Sequence, residues 1–475
     1  MHHIQIIIKN ILGVSAYFRR YTLCILIFTS AIAHGQVLNL YDAISKSVSN
    51  YPLIQQRQSE VAASKAHVST VNAYKLPNLK VLEEFDAGTS NSLPGGYFTF
   101  GVIPSVSGSI QSAQNNSIAT GNFAVSYLDW PFYTFGYYNS QKRNAEAMYA
   151  TNQSVLNGDT YLLTEHMLNL YLDWVKKYRL LQIETENLQR SETILNAIKA
   201  TVQSGLKPGV DSSTANATYA RDRISYLQAK DEYTYDLIEI ATYTGIRPNN
   251  ISPDTAVFTY ASQPELLQMP VSDSVTITHP LLDVYQKQYE QQLALNKTLS
   301  RMYMPKLSLE GAGWVRASSI SPTTVYANDP VSGLSYSRYN YLFGVSLSYN
   351  ISDIKHQHDQ IVEGKYYAQA KEDALHTQEI NLNKALLQAN MAYTTMLEKL
   401  HEFPFQLRSA REAYEQQAAL YRAGLNTLID VTNAQYVLKQ TEADYVSAQE
   451  GLLQLLDIRA GLNGRLDNFI KTFKK

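Results

Sequence analysis

The sequence SGLKPGVD at residues 204–211 recurs, in altered form, as AGLNTLID at residues 423–430. Each opens a run that closes on a glycine, Gly245 in the first case and Gly464 in the second. Moving the first run forward by 219 positions, from 205 to 424, needs no gap. Gly205, Leu206, Asp211, Ala215, Tyr226, Ala229, Leu237, Ala241 and Gly245 then fall on Gly424, Leu425, Asp430, Ala434, Tyr445, Ala448, Leu456, Ala460 and Gly464. A match of this length implies two copies of one structural unit.

Working outward, more of the unit comes into view. Pro52-Leu53 and Pro280-Leu281 each begin a helix-like run, and Leu76-Pro77 and Met304-Pro305 each end one. Proline suits a first helical turn, where its missing N–H has no partner to lose, and it stops a helix just beyond its end. Each half therefore reads as a short helix, a proline stop, a strand pair, a long helix, a glycine turn and a second short helix.

The N-terminus reads as a secretory leader, residues 1–35. Lys9, Arg19 and Arg20 supply positive charge, Tyr21 to Ala33 an apolar core, and Ala33-His34-Gly35 the small residues of a cleavage site. The competing reading, a membrane anchor, is weaker because the apolar run falls short of the roughly 20 residues that span a bilayer. Cys24, the one cysteine of the 475-residue chain, lies in that core, which excludes disulfides and thiolate metal sites from the mature protein. The formal charge of −2 becomes −5 once the three basic leader residues are removed, too mild a balance to argue for nucleic acid. No other stretch is apolar for long enough to be a membrane helix, so the chain is either soluble or crosses a membrane as a closed β-barrel.

Four strands are expected. Leu79 and Val81 begin the faintest, beyond Pro77; Glu83 and Glu84 break its alternation, and a polar loop over about 86–120 follows. In the second, Phe123, Val125 and Tyr127 alternate with Asn122, Ala124 and Ser126, and Asp129-Trp130-Pro131 closes it. The third carries Leu307 and Leu309, then a polar loop over about 317–337. The fourth is the clearest: Tyr339, Tyr341, Phe343, Val345, Leu347 and Tyr349 on one face, Asn340, Gly344, Ser346, Ser348 and Asn350 on the other. Its length is that of a tilted membrane strand, and Trp130, Tyr339, Tyr341 and Tyr349 are candidates for the aromatic girdles of a barrel. A soluble sheet with its apolar face on a core would show the same alternation.

From Tyr138 to Gly205 the sequence is helical. Met167, Tyr171, Trp174, Tyr178, Leu181, Leu188, Leu195 and Val202 keep a 3/4 spacing, with Thr185, Glu192 and Lys199 in the remaining seam positions, as in coiled coils. Such a helix runs roughly 100 Å. Ile354 to Gly424 matches it, with Pro404 as the expected kink. The chain divides into the leader (1–35), a first repeat (36–245), a Pro/Ser/Asn-rich linker (246–273) and a second repeat with a C-terminal tail (274–475). The fold class is α+β, mostly long helices. Four strands cannot close a barrel, and an open edge in lipid leaves unsatisfied backbone groups, so several copies must combine.

The order of elements, the doubled Gly-Leu-x4-Asp turns and the helix–Pro–strand junctions at Pro77 and Pro305 resemble the TolC family of outer-membrane efflux proteins. The resemblance covers the mature chain. It implies a homotrimer, with a twelve-stranded β-barrel in the outer membrane of a Gram-negative cell continued by a twelve-helix α-barrel through the periplasm. It also implies a passive conduit that works with a periplasmic adaptor (membrane fusion) protein and an inner-membrane pump, in tripartite efflux or type I secretion. By position, the turn glycines Gly205 and Gly424 mark the periplasmic tip, and Asp211, Tyr421 and Asp430 match entrance residues. Asn426 and Asn433 stand where some members have an arginine and an acid, so a salt-bridge latch of that kind is not implied; Arg422 is a possible substitute. Asp211 and Asp430 also read as helix N-caps, worth about 1 kcal/mol each, and the two readings are compatible.

Other chemistry finds little footing. His356-x-His358 reads as a solvated helix start rather than a metal site. No phosphate loop, nucleophile elbow or zinc-protease helix is present, so no catalytic residue, metal or cofactor is expected. A secreted coiled-coil adhesin or a periplasmic adaptor would account for the helices. Neither accounts for four lipid-length strands at matching places in a tandem duplication.

Overall fold

The computed structural model describes residues 36–91, 112–205, 208–262, 279–321 and 329–474, together with 275, 323, 325 and 326. The expected leader, Leu206, most of the first polar loop and the later part of the expected linker lie outside the described residues. The chain forms two compact units. One holds the described parts of residues 59–155 and 284–376; the other holds those of 1–58, 156–283 and 377–475.

The first unit is built on a four-stranded antiparallel sheet. Its strands, numbered in the order of the whole chain, are β2 (Asn78–Gly88), β3 (Ala119–Tyr133), β5 (Lys306–Ser318) and β6 (Arg338–Ser348). They lie in the order β2-β3-β5-β6, so each half of the sequence supplies one hairpin and the two hairpins join at β3 and β5. β3 runs past the stop expected at Pro131, through a register shift between Trp130 and Tyr133. Proline has no N–H for the ladder, and a bulge accommodates it. β2, the strand whose acids blur its pattern, is as long as β6.

Register assigns the faces. Leu79, Val81, Leu128, Trp130, Leu309, Val315, Tyr339, Tyr341, Phe343, Val345 and Leu347 share one, which is mainly apolar, with Glu83 and Ser126 among its polar exceptions. Lys80, Glu84, Asp129, Glu310, Arg316, Asn340 and Ser346 share the other, where the Ser346 hydroxyl donates to Glu310 at 2.6 Å. Phe123, Val125 and Tyr127 fall on this polar face, opposite the apolar row of β6. The turn Pro330–Leu334, inside the stretch expected to be a polar loop, closes on the start of β3. Gly333 is needed there, because a Cβ would lie 2.4 Å from the Thr120 carbonyl oxygen.

The second unit is helical. Its elements are β1 (Gln36–Leu38), α1 (Leu40–Asn50), the start of α2 (Pro52–Ala73), most of α3 (Tyr137–Gln203), α4 (Gly209–Thr244), β4 (Ile251–Pro253) and α5 (Val257–Ser262). α6 (Pro280–Met302) begins in it, and the second half of the chain adds the later part of α7 (Ile354–Arg422), α8 (Leu428–Leu462) and α9 (Leu466–Lys471). The helix that starts at Pro52 ends at Ala73, three residues before Leu76, because a residue before proline is driven out of the helical region. α7 continues through Pro404.

The core of this unit gathers around Met167, Tyr171 and Trp174 of α3, all fully buried, with Leu452, Leu453 and Leu456 of α8. The Tyr171 hydroxyl donates to the Leu38 carbonyl at 2.6 Å and accepts from the Asp254 N–H at 3.0 Å. One buried phenol thereby holds β1 and the end of β4, which pair in parallel. Within the expected linker, Ile251, Val257, Phe258 and Ala261 are buried in this core, so its first part packs as structure.

Met167, Tyr171, Trp174 and Leu195 of the expected seam of α3 are buried, but its polar positions are not. Thr185, Glu192 and Lys199 are exposed, and Asn187, Ser191 and Ile198 take the buried positions. Polar side chains tolerate burial where each finds a partner. The charged ones pair in a ladder: Lys176 with Asp173 (2.5 Å) and Glu450 (2.9 Å), Lys177 with Asp173 (3.0 Å) and Asp236 (2.8 Å).

Candidate functional site

The two glycine turns lie in the helical unit. Gly205 and Gly424 have φ of 74° and 76°, the left-handed region that a helix C-terminus favours and that glycine enters without a Cβ penalty. At the second turn the Leu425 N–H donates to the Leu420 carbonyl and the Gly424 N–H to Tyr421, both at 3.0 Å, which satisfies carbonyls at the end of α7. The repeat thus encodes the same backbone event twice.

The helices that leave the turns start differently. Thr427, not Asp430, is the N-cap of α8, and Asp430 completes a capping box by accepting from the Thr427 N–H at 3.2 Å. The Asp430 N–H donates to the Thr427 hydroxyl at 3.3 Å. In α4 the cap position is Pro208, which offers no side-chain bond, and Asp211 sits in the first turn. Neither aspartate is therefore the N-cap itself; both place a carboxylate by the positive end of a helix.

Asp211 has a second contact. The Tyr421 hydroxyl, from the end of α7, donates to its Oδ2 at 3.4 Å. This bond joins the two halves of the sequence. Burial raises the Tyr421 phenol above its ordinary range and the neighbouring Asp211 adds to the effect, so the group remains a donor at neutral pH. The tyrosine ring packs on a small apolar cluster of Leu195, Ile198, Ala215 and Leu428 and also walls an open groove of about 600 Å³.

The remaining tip candidates serve their own turn or face water. Asn426 bonds to Gln417 through its amide nitrogen and accepts from the Thr427 N–H at 2.7 Å. Asn433 and Arg422 are exposed, and Arg422 forms no ion pair among the described residues.

Deeper in the seam lies a polar layer the sequence did not announce. Asn187, Ser191, Asp222 and Gln435 are all at least 97% buried. Gln435 Nε2 donates to Asn187 Oδ1 and Ser191 Oγ, each at 2.8 Å, and the Ser191 hydroxyl donates to Asp222. Four polar residues on α3, α4 and α8 meet in one layer between apolar ones, an arrangement that fixes helix register at some cost in stability. Only the slip of the apolar pattern at Thr185 and Glu192 hints at it in the sequence.

In the sheet unit, Trp130, Tyr339 and Tyr341 share the apolar face, and Tyr349 lies one residue beyond β6 on the parity of that face. Tyr339, Tyr341 and Phe343 are each at least 75% exposed. Trp130 Nε1 donates to the Lys75 carbonyl at 2.9 Å, a polar tether for an amphipathic ring. β2 and β6 form the two outer edges of the sheet. No described helix is long and apolar enough to cross a membrane.

Comparison with known proteins agrees with this architecture. No curated protein matches the sequence significantly. Among solved structures, the CmeC outer membrane channel of Campylobacter jejuni is similar with a TM-score of 0.72 and 14% identity, over 92% of this chain and 89% of that one. VceC from Vibrio cholerae gives 0.68 at 11% identity over 91% and 95% of the two chains, and the MtrE outer membrane channel of Neisseria gonorrhoeae 0.67 at 14% over 90% and 89%. At such identities the likeness shows the fold. The family model for outer membrane efflux proteins matches residues 43–246 and 279–457, both halves of the duplication, and the chain belongs to that family.

Proposed function

We propose that three copies of this chain form a passive exit duct, with the four-stranded sheets joined into a twelve-stranded barrel in the outer membrane of a Gram-negative cell. The observation that carries this reading is the sheet itself: its apolar face is exposed, and its order ends at β2 and β6. A sheet in hydrocarbon must close on itself, because each unpaired backbone group costs several kcal/mol there. Three copies supply an even number of strands within the usual range. From Tyr339 to Tyr349 a strand rises roughly 33 Å, which a tilt near 45° reduces to about the height of a barrel's apolar band. Trp130 and Tyr349 near one end of the strands, Tyr339 and Tyr341 near the other, suit two aromatic girdles.

The long helices would continue the duct through the periplasm as a twelve-helix barrel, with α4 and α7 meeting neighbouring copies. Ile224, Leu227, Tyr235 and Ile238 lie exposed along one face of α4, and Ile380, Leu387 and Met391 are exposed at coiled-coil spacing on α7. Residues 1–35 would be the secretory leader. The Gly205 and Gly424 turns would form the periplasmic entrance, where a periplasmic adaptor and an inner-membrane pump deliver cargo; we assign Tyr421 and Asp211 to holding it narrow. Asp430 and Asn426 would shape the second turn, and Asn433 would face the opening.

The test is reconstitution. Protein extracted from outer membranes should need detergent, run as a heat-sensitive trimer and open discrete conductances in planar bilayers. Recovery as a soluble single chain without detergent is the opposite result.

A further inference from the structure

The helical unit holds two carboxyl groups that the duct does not use. Asp457 of α8 is 1% exposed. Its Oδ2 accepts from Asn169 Nδ2 at 3.3 Å, and its Oδ1 has no hydrogen-bond partner. Beside it, Glu165 of α3 accepts from the Tyr161 hydroxyl. Gly461, one turn beyond Asp457, brings the backbone of α8 so near that a Cβ would lie 2.4 Å from the Tyr161 oxygen. The two helices are thus locked face to face around these acids.

The surroundings provide no positive charge. From α3 come Glu165, Tyr161 and Asn169. From the residue before α6 comes His279, fully buried, its ring edge-on to Tyr161 at 4.9 Å and its Nε2 without a partner. Burial holds that imidazole down to about 4, so it is neutral at pH 7. The arginine two positions beyond Asp457, Arg459, is taken up by Asn390 at 2.9 Å and by the Tyr393 ring at 4.1 Å, both on α7. Arg465, after α8, is exposed. No lysine or arginine among the described residues pairs with either carboxyl.

Two adjoining acids without a cation, Asp457 buried and Glu165 half-buried, oppose each other's ionisation, and the like charge favours one keeping its proton. The hydrogen bonds say which. A phenol donating to Glu165 favours its carboxylate, whereas Asp457 is more deeply buried and has an oxygen free to carry hydrogen. Burial raises the Asp457 carboxyl well above the ordinary carboxylate range and the Glu165 charge raises it further. Burial also raises Glu165, with the Tyr161 bond acting the other way.

We propose that Glu165 and Asp457 hold one proton between them at neutral pH, carried mainly by Asp457, and that the α3–α8 joint is a proton-sensitive element which loosens when this last proton leaves to solvent. The sign follows from linkage. A carboxyl whose proton is favoured by the fold adds stability at low pH and loses it as the pH rises through its folded-state value. His279 works the other way in acid, so the comparison has to be made against a variant that alters the carboxyl alone.

The experiment uses the full chain in detergent. Infrared difference spectra at neutral pH should show the C=O stretch of a protonated carboxylic acid, lost in Asp457→Asn and kept in Glu165→Gln. Melting temperature should fall more steeply in the parent than in Asp457→Asn, whose amide copies the protonated form, as pH rises from about 4, where the unfolded carboxyl ionises, to the folded-state value, and the two profiles should run parallel above it. Absence of the acid band from the parent at neutral pH overturns the proposal, as does loss of the band in Glu165→Gln alone. Parallel melting profiles for parent and Asp457→Asn from about pH 4 upward overturn the joint's pH sensitivity. If Asp457→Asn does not assemble, the parent band and its response to Glu165→Gln decide the matter.

Discussion

Replacing Tyr421 by Phe removes one hydroxyl and leaves the ring on Leu195, Ile198, Ala215 and Leu428. The hydroxyl's bond to Asp211 is 3.4 Å long and both residues are half-buried. A well-formed bond to a charged group contributes about 1.5–3 kcal/mol. At this length and exposure, ~0.5–1 kcal/mol per copy is the appropriate scale. If three copies open together, the closed state loses about 1.5–3 kcal/mol, a shift of roughly ten- to a hundredfold in the opening equilibrium at 1.4 kcal/mol per factor of ten. The assay is single-channel recording in planar bilayers with the trimer verified on gels. Open probability should rise in Tyr421→Phe and change little in Asp211→Asn, which keeps an acceptor. An unchanged open probability in a normally assembled Tyr421→Phe trimer refutes the entrance role and leaves the contact as packing.

Asp430→Ala should cost about 1 kcal/mol of α8 stability through the lost capping box, visible as faster hydrogen exchange at the tip, with open probability close to the parent's. Lys177→Met should lower stability by about 3–5 kcal/mol, because it leaves Asp236, itself 1% exposed, with a buried charge and no cation; thermal unfolding in detergent measures it. On the sheet, Val345→Arg should cost roughly 2–4 kcal/mol at the bilayer midplane and reduce the yield of heat-sensitive trimer. Ser346→Arg, one residue on and on the polar face beside Glu310, should leave that yield nearly unchanged.

What the sequence made legible were features that repeat or alternate locally. The glycine turns at 205 and 424, the proline-started helices and β6 all follow from one or two residues acting on their own backbone. Contacts that depend on a distant partner did not show. Three-residue strands such as β1 and β4, more than 200 positions apart, have no periodicity to read, and it is burial of Leu38 and Ile251 in one core together with the shared hydroxyl of Tyr171 that holds them side by side. The buried polar layer has no signature of its own in the sequence, because Asn187 and Ser191 become satisfied only when Asp222 and Gln435 arrive from other helices. A heptad template also drifts against a 3.6-residue helix, which shifts the expected seam from Glu192 to Ser191. The apolar row of β3 was visible, but its side of the sheet was not, since a strand's face is set by register with its neighbours. At the tip, Asp211 and Tyr421 were identified by position and do touch, while Thr427 took the capping role given to Asp430.

The central claim is that β2 of one copy pairs with β6 of the next. The only cysteine, Cys24, lies in the proposed leader, so single cysteines on the two edge strands would be the only thiols of the mature chain. A fixed cysteine on β2, combined with a cysteine scanned along β6, should give covalent dimers and trimers on non-reducing gels of oxidised outer membranes, with reactive positions recurring at every second residue. Monomer at every position, in membranes that contain the protein, would contradict the account.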